Sequence, residues 1–113
     1  MARWQQFTNG NPGPLVDTDL GQGITTNGTW YLLQQNLDKN RPITLSASVK
    51  VAGHTGTLQF VSQTPGGAVA NLDTALIPVN GTPVVWPNEY SLEGDRALVI
   101  TGINGTVYPW VAQ

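Results

Sequence analysis

Ala97-Leu98-Val99-Ile100-Thr101-Gly102-Ile103-Asn104-Gly105-Thr106-Val107-Tyr108-Pro109-Trp110-Val111 sets two β-rich runs on either side of an Asn-Gly pair. Asn-Gly is the dipeptide best suited to the positive φ angles of a tight type I′ turn, so the stretch predicts a terminal β-hairpin. The same turn chemistry recurs upstream, at Asn27-Gly28-Thr29 before Trp30-Tyr31, at Thr55-Gly56-Thr57 before Leu58-Gln59-Phe60, and at Asn80-Gly81-Thr82 before Val84-Val85-Trp86. The chain reads as a succession of turns feeding short strands.

The clearest strand is Ile43-Thr44-Leu45-Ser46-Ala47-Ser48-Val49-Lys50-Val51, apolar at every odd position and polar at every even one. A period of two means one face in the core and one in water. Ala52-Gly53-His54-Thr55-Gly56 turns the chain and 57–63 returns, which predicts a second antiparallel hairpin. The run 30–35 is too short between its flanking turns for a helix and is read as a strand. Residues 36–42 form a polar loop. The region 68–79 is read as two short strands or one bulged strand, with Pro78 at a sheet edge, and the proline-bracketed run 82–87 also belongs at an edge. Eight or nine short strands, with turn signals every eight to twelve residues and no amphipathic helix, predict an all-β chain. The expected architecture is a single antiparallel β-sandwich or small barrel, jelly-roll or immunoglobulin-like.

The N-terminal run carrying Arg3, Trp4 and Phe7 is followed by Asn9-Gly10-Asn11-Pro12-Gly13-Pro14, a dense cluster of breakers. Residues 1–14 are therefore read as an arm and Gly/Pro linker, and 15–113 as the sandwich. The arm either pairs with its own sheet or docks on a neighbouring subunit.

A chain of 113 residues has room for one domain. Its lack of cysteine removes disulfides, thiolate metal sites and cysteine nucleophiles together. Five Lys or Arg against seven Asp or Glu, with no cationic cluster beyond Lys39 and Arg41, argue against a nucleic-acid partner. The N-terminus lacks a signal-peptide core and no run is long enough to span a membrane, so synthesis in the cytoplasm is expected. The charged fraction is 11%, far below the roughly 25% of ordinary soluble domains, which leaves a surface of Thr, Asn, Gln, Ser and Gly, or one covered by another chain. The three Asn-Gly-Thr triplets match the glycosylation sequon formally and are read as turns.

Chemistry is scarce. His54 is the only histidine and lies in a Gly-flanked loop without a nearby acid. Asp17 and Asp19 share one face of an extended segment but lack the further oxygen ligands a calcium loop needs, so no metal is expected. Glu89, Glu93, Asp95, Asp38 and Asp73 have nothing in sequence to raise a pKa for glycoside hydrolysis. No Gly-rich stretch has the Lys and helix of a phosphate loop. The expectation is a non-enzyme without a cofactor.

A small, Cys-free, weakly charged β-domain rich in Gly, Pro, Thr and Asn, with an aromatic-bearing arm and prolines at its edges, resembles the small head decoration, or cement, proteins of tailed bacteriophages. That resemblance implies a structural virion protein on the capsid surface, commonly a trimer, that clamps major capsid protein or other virion subunits. On physical grounds the candidate assembly interface is Arg3, Trp4 and Phe7 on the arm, with Trp86, Tyr108 and Trp110. The competing expectation is a carbohydrate-binding sandwich, a lectin-like domain or the receptor-binding tip of a phage fibre. It would place Trp30, Tyr90 or Trp86 in an exposed platform beside Asn88, Glu89 or Asp95.

Overall fold

The computed structural model describes residues 2–72 and 76–113; Asp73, one of the candidate carboxylates, lies outside them. Among the described residues the chain forms ten strands and one 3-10 turn, Thr18–Leu20. The strands are β1 (Arg3–Thr8), β2 (Asn11–Asp17), β3 (Gly28–Leu32), β4 (Thr44–Ser48), β5 (Thr55–Ser62), β6 (Ala70–Asn71), β7 (Ile77–Asn80), β8 (Val84–Val85), β9 (Arg96–Asn104) and β10 (Tyr108–Ala112). They make two antiparallel sheets. The larger runs β2-β1-β3-β9-β5, with β6 and β7 sharing the far edge of β5, and the smaller runs β10-β4-β8. The expected all-β sandwich is what the chain builds.

Alternation sets which side chains meet between the sheets. Trp4, Trp30, Leu32, Leu98, Ile100, Leu58 and Phe60 come from the large sheet, and Leu45, Ala47 and Val111 from the small one, into one buried cluster with Ile24, Ile43, Val79, Trp86, Tyr90 and Val107. The indole N–H groups of Trp4 and Trp86 are buried there without an acceptor. Each such group costs roughly 1–3 kcal/mol, which the area buried by the ring offsets.

The breaker cluster at 9–14 is a hairpin rather than a linker. Asn9 and Gly10 hold φ of 51° and 79°, the type I′ signature, and β1 pairs with β2 on one side and β3 on the other. The arm thus takes the first of its two expected options and is an interior strand of its own sheet. Pro12 and Pro14 are tolerated because β2 is the sheet edge, and a bulge opposite Gln6 absorbs the irregularity.

The two hairpins expected around Asn104-Gly105 and His54 are not formed. β9 pairs with β3 and β5, whereas β10 pairs with β4, so the terminal Asn-Gly turn carries the chain from one sheet to the other. The segment between β4 and β5 does the same. Local turn chemistry fixes the backbone angles at the corner, and the hydrophobic faces on either side decide which sheet each strand joins. Both corners meet. The His54 ring lies against Gly105, where an added Cβ would fall 2.3 Å from its Cγ, and its Nδ1 accepts the Thr106 N–H at 3.1 Å. With φ of 85° as well, position 105 accepts only glycine. Reciprocal backbone bonds between Ile24 and Val107, 2.8 and 2.9 Å, close this corner.

Every edge strand but the two-residue β6 shares one feature. β7 carries Pro78, β8 sits between Pro83 and Pro87, and β10 contains Pro109, so these edge strands, like β2, carry or adjoin proline. Proline lacks the N–H that a further strand would need.

Candidate interaction surface

The aromatic residues nominated by sequence separate by strand parity. Trp4 is 0% exposed and Trp86 2%, so both leave the candidate interface and belong to the core. Trp86 is drawn inward where its backbone N–H donates to the Leu45 carbonyl at 2.9 Å, just past β8. Trp30 and Tyr90 are buried too, which removes the expected sugar platform from the surface. The Trp30 indole donates to the Thr26 carbonyl at 3.1 Å, and the Tyr90 ring packs 5.2 Å from Phe60. Asn88, Glu89 and Asp95 remain exposed.

Arg3 and Phe7 point to the outer face of the large sheet. Arg3 Nε sits 3.7 Å from Asp17 Oδ2, its cross-strand neighbour. Phe7 meets Tyr31 edge to face at 5.1 Å, and these rings overlie a small second cluster of Tyr31, Val61 and Ala97. Burial, and then the Asp95 carboxylate, raise the Tyr31 hydroxyl above its ordinary value.

Tyr108 and Trp110 lie on the outer face of the small sheet, opposite the wall from Phe7. On β10, Pro109 and Val111 face the core, so Tyr108 and Trp110 stand together on the wet side. Across the ladder Tyr108 pairs with Ser48, Trp110 with Ser46, and Ser46 with Val85. Trp110 is 40% exposed and Val85 68%. Lys50 Nζ lies 4.2 Å from the Tyr108 ring centre, a cation–π contact. Beneath the same ring is Gly23, where a Cβ would fall 2.7 Å from Tyr108 Cε2. A shallow depression of about 380 Å³ runs over Ser46, Ser48, Lys50, Tyr108 and Trp110 to Pro83. Its surface is apolar rings and hydroxyls with a single positive charge.

The sequence reading missed Lys50 and Gly23. The even-position polar face of 43–51 already put Lys50 beside Ser46 and Ser48, but which strand lay next to it was not legible.

Asp17, Asp19 and Arg96 are occupied structurally. Asp17 Oδ1 accepts the Asp19 N–H at 2.9 Å and caps the 3-10 turn, while Asp19 Oδ1 accepts the Ala2 N–H at 3.2 Å. Arg96 is buried and donates to the Ser91 carbonyl and hydroxyl, at 3.0 and 3.2 Å, and to the Ser62 hydroxyl at 3.1 Å. It thereby ties the loop before β9 to β5. Among the described residues no three His, Asp or Glu side chains gather as a metal site, and no helix is long and apolar enough to cross a membrane. No family model, curated protein or solved structure matches this chain.

Proposed function

We propose that this chain is a non-enzymatic structural subunit of a virion that decorates a phage capsid, docking on its neighbours through the outer face of the β10-β4-β8 sheet. The observation that carries the reading is Trp110 and Val85, two large apolar side chains exposed on one sheet face on either side of Ser46, with Lys50 the one charged residue lining the depression beside Trp110. Burying such a face against protein releases apolar area without stranding many charges. Proline at most of the edge strands supports contact by faces rather than by strand addition, and β1 is an interior strand of its own sheet rather than a donated one. A self-associated trimer clamping major capsid protein subunits is the arrangement this reading favours.

The test is co-sedimentation with shells assembled from the major capsid protein encoded in the same genome. The wild-type chain pellets with the shells and raises their melting temperature, and the Trp110→Ser variant stays in the supernatant. A wild-type chain that never pellets with the shells contradicts the proposal.

A further inference from the structure

The chain contains four Asn-Gly pairs, at 9–10, 27–28, 80–81 and 104–105. All share one latent reactivity, because glycine has no side chain to shield its peptide nitrogen from the carboxamide of the preceding asparagine. The fold separates them. Asn27 is tied twice: its Oδ1 accepts the Ile103 N–H at 2.9 Å, and its carbonyl accepts Gln6 Nε2 at 2.8 Å. Gly105 is packed against the His54 ring. Asn9-Gly10 is shut in a hairpin closed by the Thr8–Asn11 pair, and the Gly66 Cα lies 3.7 Å from where a Gly10 Cβ would stand.

Asn80-Gly81 lacks these restraints. Asn80 is exposed at the end of β7, its side chain has no partner among the described residues, and a Cβ on Gly81 would meet nothing within 4 Å. The Gly81 N–H likewise has no acceptor among the described residues. Gly81 has a φ of 74°, and the Thr82 N–H donates to the Asn80 carbonyl at 2.8 Å. Together these define a γ-turn of the positive-φ kind, which is rare and strained. Rearranging the backbone at this pair breaks no packing.

We propose that Asn80 is a site of spontaneous modification, converting to isoaspartate through a cyclic imide, and that the conversion loosens β8. The Gly81 nitrogen gives its proton to solvent base and attacks Asn80 Cγ. As the N–Cγ bond forms, the Cγ–Nδ2 bond breaks, and Nδ2 takes a proton from solvent and leaves as ammonia. Water then opens the imide. Addition at Cγ gives aspartate, whereas addition at the backbone carbonyl carbon breaks the old peptide bond and leaves the main chain running through Cβ and Cγ, one carbon longer. Residues 81–83 are the whole connection between β7 in the large sheet and β8 in the small one. An added carbon and a new negative charge in so short a crossing displace β8. That strand is held to β4 through Ser46–Val85 and Ala47–Val84, with the Trp86 N–H donating to the Leu45 carbonyl at 2.9 Å just beyond. The reaction needs no partner chain, so it proceeds whether or not the small sheet docks.

The test is incubation of the folded chain in warm, mildly alkaline buffer, then digestion and electron-transfer sequencing of the peptides, which tells isoaspartate from aspartate. Asn80 should convert at least about tenfold faster than Asn9, Asn27 or Asn104, since those pairs must first open locally. In the guanidinium-unfolded chain all four should convert at similar rates. The isoaspartyl form, separated by anion exchange on its added charge, should show about tenfold faster hydrogen exchange at the Trp86 amide than the unconverted chain. Asn80→Gln, which changes an exposed side chain without a described partner, should keep slow exchange at Trp86 through the same incubation. Conversion of Asn9, Asn27 or Asn104 as fast as Asn80 in the folded chain overturns the proposal, as does an Asn80 that stays intact there while the unfolded chain converts. Unchanged Trp86 exchange in the isoaspartyl form overturns the effect on β8.

Discussion

The Lys50 ammonium stands 4.2 Å from the centre of the Tyr108 ring, and Gly23 lies beneath that ring with no room for a methyl group. Tyr108 is thereby held in place, and with Trp110 it forms a prearranged apolar surface rather than two free side chains. Prearrangement lowers the entropy lost on docking.

Gly23 has no positive φ, so its requirement is steric. The Gly23→Ala methyl would meet Thr106 Cγ2 at 2.3 Å as well as the Tyr108 ring. The expected result is a loss of about 1–3 kcal/mol, as for overpacking elsewhere, together with a displaced Tyr108 signal in aromatic NMR. An unchanged melting temperature and ring environment would show that Tyr108 is not packed on Gly23.

Three of the four tryptophans are at most 2% exposed, leaving Trp110 as the accessible one. Acrylamide quenching of the monomeric chain should therefore affect only a minor, red-shifted part of the emission. Trp110→Phe should abolish that part. Residual quenching in the variant would mean that the core rings reach solvent.

Arg96 is buried at a junction of neutral acceptors, where the guanidinium fork serves Ser91 and Ser62 at once. Lysine keeps the charge but cannot span these acceptors. Arg96→Lys should cost about 1–3 kcal/mol in urea denaturation. A neutral result would mean that the loop before β9 is held by other contacts.

Tyr31 gives a pH dependence with a definite sign. Its hydroxyl is raised above 10.0 in the folded chain, first by burial and then by Asp95. The unfolded chain ionises first, so the Tyr31 contribution is whole below a pH of about 10 and falls as pH rises through the folded value. Wild-type stability should drop more steeply than that of Tyr31→Phe above that pH, and the two should run parallel below it. Parallel curves throughout would refute the raised value.

Within the alternating run 43–51 the strand Thr44–Ser48 was legible because its two faces have different surroundings, whereas the run's end was not, since the strand stops at Ser48 and Val51 is 53% exposed. Pro78 and the run 82–87 were legible as edge elements because a missing N–H has few places to go. The corners were not. Asn104-Gly105 and Gly53-His54 show the backbone angles of a tight turn, yet nothing in the residues says whether the next strand continues the same sheet or crosses to the other. The true hairpin turn, Asn9-Gly10, was hidden among prolines that an edge strand tolerates. The aromatic residues failed for a related reason. Proximity to a turn does not fix strand parity, so Trp4, Trp30 and Trp86 turned inward while Trp110 turned out.

Docking through the small-sheet face is tested most directly by the mass of the assembled species in solution. Light scattering of the wild-type chain beside Trp110→Ser should give a trimer for the first and a folded monomer for the second, with matching circular dichroism. A wild-type chain that stays monomeric at every concentration, or a Trp110→Ser variant that assembles as well as wild type, would contradict the account.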